Sequence, residues 1–383
     1  MFSSLKSYFS LLQLVGSLIS GPLIDTYGAK GLLLLNFLAC VLCYATTATA
    51  DSLTWIYISF LPTLFQHGVL AARAYITVVS PNDRIPERLG YVGLFYGLGF
   101  VIGPALGGQL SSYNLRAAAW VATAGSVVSM ALIWALLPNV VESATTQSKD
   151  GDASSKARKG LLENIASAKH LLSTNSSLQF VLSLKFLFSL AMALIYSCFS
   201  LFLADTFELS PAQYGYLMSF AGVVGMVVQA VGVRAAREAL SGFQITAAAA
   251  ILLSVAFLGF GFSGSIAHIY LVMVPITISS TLMGAVNSAQ QVAAAAEERG
   301  TVVAVDMAMG SGVRILSPKI VTWLVAVYGW PAAGVCSSLL MVVFLVVALR
   351  DDGLLDKLLL PPTEDTADAE QQGKEGTETK KDK

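Results

Sequence analysis

The chain has 383 residues, of which 55% are hydrophobic and 12% are charged, and its formal net charge is −1. About a quarter of the residues in a soluble domain are charged, so this composition excludes a water-soluble globular protein. It predicts an all-α polytopic membrane protein, and the near-zero net charge is uninformative about partners.

Apolar runs long enough to cross a bilayer of about 30 Å are the main feature of the chain. We expect these runs to be transmembrane helices, because they are rich in small residues that allow close helix packing. There are about 11 of them, at Tyr8–Ile24, Gly31–Ala50, Leu53–Val79, Leu89–Leu110, Ala117–Leu137, Leu178–Leu203, Tyr214–Val233, Phe243–Phe262, His268–Ala289, Thr301–Val327 and Pro331–Leu349.

Basic residues are concentrated in every second loop between these runs, and Arg116 is the clear exception. The positive-inside rule assigns the basic loops to the cytoplasm. The N-terminus is therefore predicted to lie outside and the C-terminus inside. The basic loop residues are Lys30, Arg84, Arg88, Lys149, Lys156, Arg158, Lys159, Lys169, Arg234, Arg237, Arg299 and Arg350.

Two polar stretches divide the chain. Residues 139–177 begin with a segment rich in Ser, Thr and Lys that has no apolar periodicity, which predicts a cytoplasmic linker. We expect residues 1–138 to form an N-terminal bundle of five spans and residues 178–350 a C-terminal bundle of six. The polar tail, residues 351–383, is predicted to be disordered and cytoplasmic.

A short polar hinge follows the first apolar run. It carries one carboxylate, Asp25, and one ammonium, Lys30, with Gly21 and Gly28 around the carboxylate. This loop resembles a cytoplasmic loop signature of the major facilitator superfamily, although Thr26 stands where the family usually has Arg. The resemblance implies that these four residues take part in gating between the two halves of a transporter. The alternative is that Asp25 only solvates a turn.

A second motif lies in the fourth run, where Gly97–Gly108 contains Gly103, Pro104 and Gly107. It resembles the fifth-helix signature of drug–proton antiporters in the same superfamily. The resemblance implies that the helix bends or packs against a neighbour during the transport cycle, and Pro104 removes a backbone donor there. Packing of small residues alone is the simpler interpretation.

Two further stretches narrow the resemblance. Ser80–Arg88 and Gln213–Gly222 are similar to the tetracycline-transporter-like or organic-cation-transporter-like branch, the solute carrier family 22 member 18-like proteins. Members of the superfamily have two halves of six spans, so the five spans here imply that the family's first helix is missing. We expect that the sequence is incomplete at its N-terminus, the alternative being a true eleven-span protein.

Charged or titratable residues inside apolar runs are costly, so each is a candidate for function. Lys185 and Arg314 resemble cationic residues of the family branch and are predicted to face the translocation cavity, the alternative being that they reach a lipid headgroup. Asp306 precedes Arg314 on the same run and is expected to balance its charge. Arg73 and His67 lie in the third run, and His67 is a candidate for moving protons, although packing is the commoner role of such a histidine.

These features predict a secondary active transporter of a small organic solute that works by alternating access, with proton-coupled antiport of organic ions or drugs. An organic anion or monocarboxylate facilitator is a second hypothesis, because buried positive charge exceeds buried negative charge. A non-transporting membrane scaffold or receptor is the third. The expected partners are the solute, protons and the lipid bilayer, without nucleic acid, and no enzyme, cofactor or metal motif is found. The membrane is either the plasma membrane or an endomembrane.

Overall fold

The computed structural model describes residues 2–81, 84–138, 175–294 and 299–350, and the regular elements in these ranges are helices. This confirms the all-α prediction. The elements are α1 (Phe2–Ala48), α2 (Leu53–Ser59), a 3-10 helix (Leu61–Phe65), α3 (Gly68–Val79), α4 (Ile85–Tyr113), α5 (Ala117–Leu136), α6 (Ser176–Phe207), α7 (Pro211–Val227), a π-helical turn (Val228–Gly232), α8 (Val233–Ala239), α9 (Gly242–Gly261), α10 (Ile266–Ala294), α11 (Arg299–Tyr328) and α12 (Pro331–Ala348).

Eight helical segments in the described ranges are long and apolar enough to cross a membrane, which fits the predicted multi-pass architecture. They are Thr26–Ala48, Arg88–Tyr113, Ala117–Leu136, Ser176–Phe207, Pro211–Ala239, Gly242–Gly261, Ile266–Asn287 and Pro331–Ala348. Most of the predicted linker and all of the predicted tail, residues 139–174 and 351–383, lie outside the described residues.

Helix α1 consists of two arms that meet at Gly28, within the hinge expected from the sequence. Gly28 has φ 72° and ψ 165°, a backbone conformation that essentially requires glycine. Beyond the turn, the Lys30 ammonium donates to the carbonyl oxygens of Leu137 at 2.6 Å and Trp134 at 3.2 Å. Lys30 thus caps the C-terminal end of α5 and ties it to the second arm of α1.

The third apolar run, Leu53–Val79, was expected to be one span but folds as α2, a 3-10 helix and α3. Pro62 lies in the first turn of the 3-10 helix, where its missing N–H costs least. The Gln13 side-chain amide of α1 donates to the Thr63 carbonyl at 2.7 Å. Such broken backbone is tolerated at membrane depth where protein or a cavity surrounds it.

The helices before residue 137 meet those after residue 175 along two seams. In the first, the Ser7 hydroxyl donates to the Ile315 carbonyl at 2.7 Å. The Lys6 ammonium donates to the carbonyls of Ser197 at 2.8 Å and Tyr196 at 3.3 Å. The first seam therefore joins the start of α1 to α6 and α11.

The second seam joins α4 to α7 by close backbone approach. A methyl group added to Gly108 would clash with the Pro211 carbonyl, and one added to Gly215 would clash with the Pro104 carbonyl. The Gln109 amide also donates to the Tyr216 hydroxyl. Since the spans cross in alternating directions, the start of α1, the end of α4 and the start of α7 lie at one end of the molecule. Both seams are closed at that end.

Candidate functional site

A cavity of about 380 Å³ lies between the two groups of helices, and eight of its nine lining residues have polar or charged side chains. Helix α1 and the break before α3 form one side, and α6 and α11 form the other. The lining residues are Gln13, Ser17, His67, Lys185, Ser189, Asp306, Gly310, Ser311 and Arg314. Four of the five predicted substrate-binding residues therefore line one cavity.

Lys185 and Asp306 form an ion pair across the cavity wall, with 2.8 Å between Nζ and Oδ1. Their side chains are 18% and 26% exposed, so the pair is largely desolvated. Lys185 is held by α6, whose neighbouring Val181 and Leu184 are buried in the helix core. The pair joins α6 to α11, and its low-dielectric surroundings strengthen the attraction while raising the cost of breaking it.

Arg314 has a different environment from Lys185. Its Nη2 atom donates to the Ser311 hydroxyl at 3.1 Å, one turn earlier on α11. Among the described residues, no carboxylate lies within 4.0 Å of its guanidinium. The charges of Lys185 and Asp306 neutralise each other. The guanidinium of Arg314 therefore gives the cavity one positive charge. A planar guanidinium with a neutral partner is suited to bind a carboxylate or another small oxyanion.

His67 enters the cavity because the chain breaks just before α3. Its Nε2 atom is buried and has no hydrogen-bond partner within the described ranges. Gly16 of α1 lies directly against the His67 ring and the Leu64 carbonyl, with no room for a side chain. His67 also lines the cavity, and a buried imidazole beside a cavity is a candidate contact for a solute or a proton.

The fifth predicted substrate residue and part of the predicted gate lie elsewhere. The Arg73 side chain is exposed on α3 and is not part of the cavity wall. Gly103 and Gly107 face open space, whereas the Pro104 carbonyl lies in the seam with α7. The gating role of these residues remains a prediction.

In the predicted hinge, Gly28 forms the turn and Lys30 caps α5, as described above. The surroundings of Gly21 and of the Asp25 side chain lie outside what the structure describes, so their roles also remain predictions.

Several residues at the site and its seams carried no strong signal in the sequence. Gln13, Ser17 and Ser189 are neutral, and polar neutral residues are common in packed membrane helices. Lys6 precedes the first predicted span, so its charge was not counted as buried. Gly108 is the last residue of the Gly97–Gly108 motif, and the sequence prediction did not include it among the gating residues. It nevertheless makes the close backbone contact with Pro211.

Comparison with known proteins agrees with this architecture. Residues 1–318 match the Major Facilitator Superfamily. Mouse solute carrier family 22 member 18 is 28% identical over 341 residues, covering 87% of this chain and 82% of the relative. The class G tetracycline resistance protein of Vibrio anguillarum is 31% identical over 121 residues, 30% of each chain.

A solved structure shows the same fold. The human organic anion transporter MFSD10 (TETRAN) superimposes with a TM-score of 0.66 at 20% identity, covering 90% of this chain and 83% of that one. The predicted resemblance is thereby confirmed, and the family consists of transporters rather than enzymes. The chain is an integral multi-pass membrane protein that belongs to the Major Facilitator Superfamily.

Proposed function

We propose that this chain is a secondary active transporter that moves small organic anions by alternating access around the cavity of Lys185, Asp306 and Arg314. The observation that carries the proposal is the position of these three charges. They lie between two groups of helices, and the seams that join the two groups are closed at one end. Charges at membrane depth are expensive and are kept where a solute or ion path needs them.

The sign of the substrate charge follows from the pairing in the cavity. Asp306 is already bound to Lys185, whereas the guanidinium of Arg314 has a neutral hydroxyl as its partner. An incoming carboxylate gains a charge-assisted contact with Arg314 without breaking an ion pair. MFSD10, which shares this fold, is an organic anion transporter, and this similarity supports the same substrate class.

Coupling to protons would act through Asp306, the carboxylate that lines the cavity. Protonation of Asp306 weakens its attraction for Lys185 and makes the cavity more positive. An anion then binds more tightly, so proton and anion travel in the same direction. An organic cation would instead compete with the proton for Asp306, which gives exchange.

Drug–proton antiport, as the sequence predicts, is therefore the second candidate. The similarity to a tetracycline resistance protein favours it. It requires a cationic solute that displaces Lys185 from Asp306. A facilitator of organic anions would use the same Arg314 contact without any dependence on the proton gradient.

The test is uptake into proteoliposomes under an imposed pH gradient, with radiolabelled benzoate and tetraethylammonium as probes. We expect benzoate uptake to be driven by acid outside the vesicles, and Arg314→Gln to weaken it about 10- to 100-fold, since hydrogen bonds to charged groups contribute about 1.5–3 kcal/mol. The matched control is Arg116→Gln, whose guanidinium pairs with Asp51 in an exposed position that does not line the cavity.

The other outcomes separate the alternatives. Tetraethylammonium uptake driven by acid inside the vesicles supports antiport and contradicts the anion proposal. Benzoate flux that ignores the gradient indicates a facilitator. Absence of flux for both probes, together with no thermal stabilisation by either, supports a scaffold or receptor.

A further inference from the structure

A second, larger cavity of about 750 Å³ lies between α4, α6, α7 and α10. Its character differs from that of the charged cavity, because aromatic rings and glycines form much of its wall. The rings belong to Tyr96 and Phe100 of α4 and Tyr196 of α6, and the Met226 thioether lies opposite them. A volume of this size, lined by aromatic groups with a few polar atoms, is typical of a site for a drug-sized molecule.

Helix α6 contributes to the walls of both cavities. Ser189 lines the charged cavity and Tyr196 lines the aromatic one. Seven residues make almost two full turns, so both side chains leave the helix on the same side, about 10 Å apart along its axis. A single elongated solute is long enough to contact both cavities.

One polar group without an internal partner also lines the aromatic cavity. The Thr277 side chain is 8% exposed, and its hydroxyl has no hydrogen-bond partner among the described residues. The π-helical turn Val228–Gly232 places Gln229 and Ala230 in the wall. π-Helical turns are uncommon and are often found at functional sites, and a buried hydroxyl without a partner is costly unless a ligand satisfies it.

The mouth of this cavity has basic character. Gln229 also lines a smaller groove with Arg234, Arg237 and Glu238. Arg234 is bound to Glu238 at 2.7 Å, which leaves the charge of Arg237 uncompensated within that groove. An exposed positive charge at the opening raises the local concentration of anions.

We propose that the aromatic cavity holds the ring-bearing apolar body of an amphiphilic organic anion whose charged group lies against Arg314. This inference rests on the proposed function and makes it more specific: the preferred substrates are carboxylates that carry an aromatic group on a short spacer, rather than small polar acids. The spacer bridges the distance between Ser189 and Tyr196 on α6.

The test uses purified full-length protein and measures binding of radiolabelled 4-(2-naphthyl)butyrate, with unlabelled acetate as competitor. We expect acetate to compete at least about 30-fold more weakly, because burial of apolar area is worth about 25 cal/mol per Å² and acetate lacks the ring. The charge-reversed 4-(2-naphthyl)butylammonium is expected not to compete.

A matched pair of variants on α4 locates the ring. Gly97 lines the aromatic cavity, and a methyl group added there meets only the end of Met226 at 3.8 Å. Gly99 lies two residues later, and a methyl group there meets nothing within 4 Å. Gly97→Leu should fill part of the cavity and lower the ratio of naphthylbutyrate to acetate affinity about ten-fold. Gly99→Leu should leave the ratio within about two-fold, since an exposed substitution has little effect.

Equal effects of the two leucine variants, or acetate that competes as well as the naphthyl acid, would overturn the inference. Arg314→Gln in the same assay distinguishes its failure from that of the proposed function. If Arg314→Gln weakens naphthylbutyrate binding while Gly97→Leu has no effect, only the aromatic assignment fails. If Arg314→Gln leaves binding intact, the anion site itself is misassigned.

Discussion

At the scale of single residues, the ion pair between Lys185 and Asp306 differs from the ion pairs at the surface. Both of its side chains are mostly buried, whereas those of Arg234 and Glu238 are 84% and 64% exposed. The distances are nearly equal, at 2.8 Å and 2.7 Å, so the difference in energy comes from the surroundings. Water screens the charges of the surface pair. In the cavity pair there is little water to stabilise one charge when the other is removed.

We therefore expect Lys185→Gln and Asp306→Asn each to lower the free energy of unfolding by about 1–3 kcal/mol, between the values for exposed and buried pairs. The double variant should lose less than the sum of the two, because it removes both members of the pair and leaves neither charge without the other. Thermal unfolding in detergent measures all three. In the control, Arg234→Gln and Glu238→Gln should each change stability by less than about 0.5 kcal/mol. Additive losses in the cavity pair would contradict a direct interaction.

The sequence allowed the charged members of the cavity to be predicted, because a charge inside an apolar run is conspicuous. Charged or titratable side chains of this kind line one cavity, namely Lys185, Asp306, Arg314 and His67. Arg73 met the same criterion but has an exposed side chain outside the cavity. Composition and spacing show the depth of a residue along a helix, whereas the direction of its side chain depends on how the helices rotate against each other.

At the scale of elements, the break within the third apolar run determines the shape of the site. The sequence predicted this run but not its interruption. Proline and glycine, present here as Pro62 and Gly68, are also found in helices that bend without breaking. The tertiary contact with α1 distinguishes the two cases. The Leu64 carbonyl approaches α1 at Gly16, and the Gln13 amide satisfies the neighbouring Thr63 carbonyl.

Gly16→Ala tests this contact. The added methyl group would overlap the Leu64 carbonyl and the His67 ring, so we expect a loss of about 1–3 kcal/mol in the free energy of unfolding and a displaced His67. Gly125→Ala on α5 is the control, because a methyl group there meets nothing within 4 Å. It should be neutral or stabilising by up to about 1 kcal/mol, from the higher helix propensity of alanine. Equal stability of the two variants would show that α1 does not pack tightly on the break.

At the scale of the whole molecule, the two seams define a conformational state. Both are closed at the end where α1 begins, and the charged and aromatic cavities lie further toward the opposite end. In the orientation predicted from the basic loops, the closed end faces outward and the cavities are nearer the cytoplasm. Alternating access then requires the contacts of Lys6, Ser7 and Gly215 to separate when the opposite end closes.

Opening of the closed end can be followed at Ser7, which is 7% exposed in this state. The reporter is Ser7→Cys in a chain whose four cysteines are replaced by serine, labelled with a membrane-impermeant maleimide. Gly215→Leu forces a side chain against the Pro104 carbonyl, which penalises the closed state alone. A penalty of about 1–3 kcal/mol should raise the open population, and with it the labelling rate, about ten-fold for each 1.4 kcal/mol.

Lys6→Met acts on the other seam and should also raise the labelling rate of the Ser7→Cys reporter. It removes the ammonium that bridges α1 to the Ser197 and Tyr196 carbonyls while keeping a long apolar side chain. Gly125→Leu adds the same bulk as the Gly215 variant away from both seams and should leave the rate unchanged. If a variant at one seam exposes Ser7 as strongly as a variant at the other, the two groups of helices separate as rigid bodies. If only Lys6→Met exposes Ser7, the opening is local to α1, and the two groups of helices do not separate as rigid bodies.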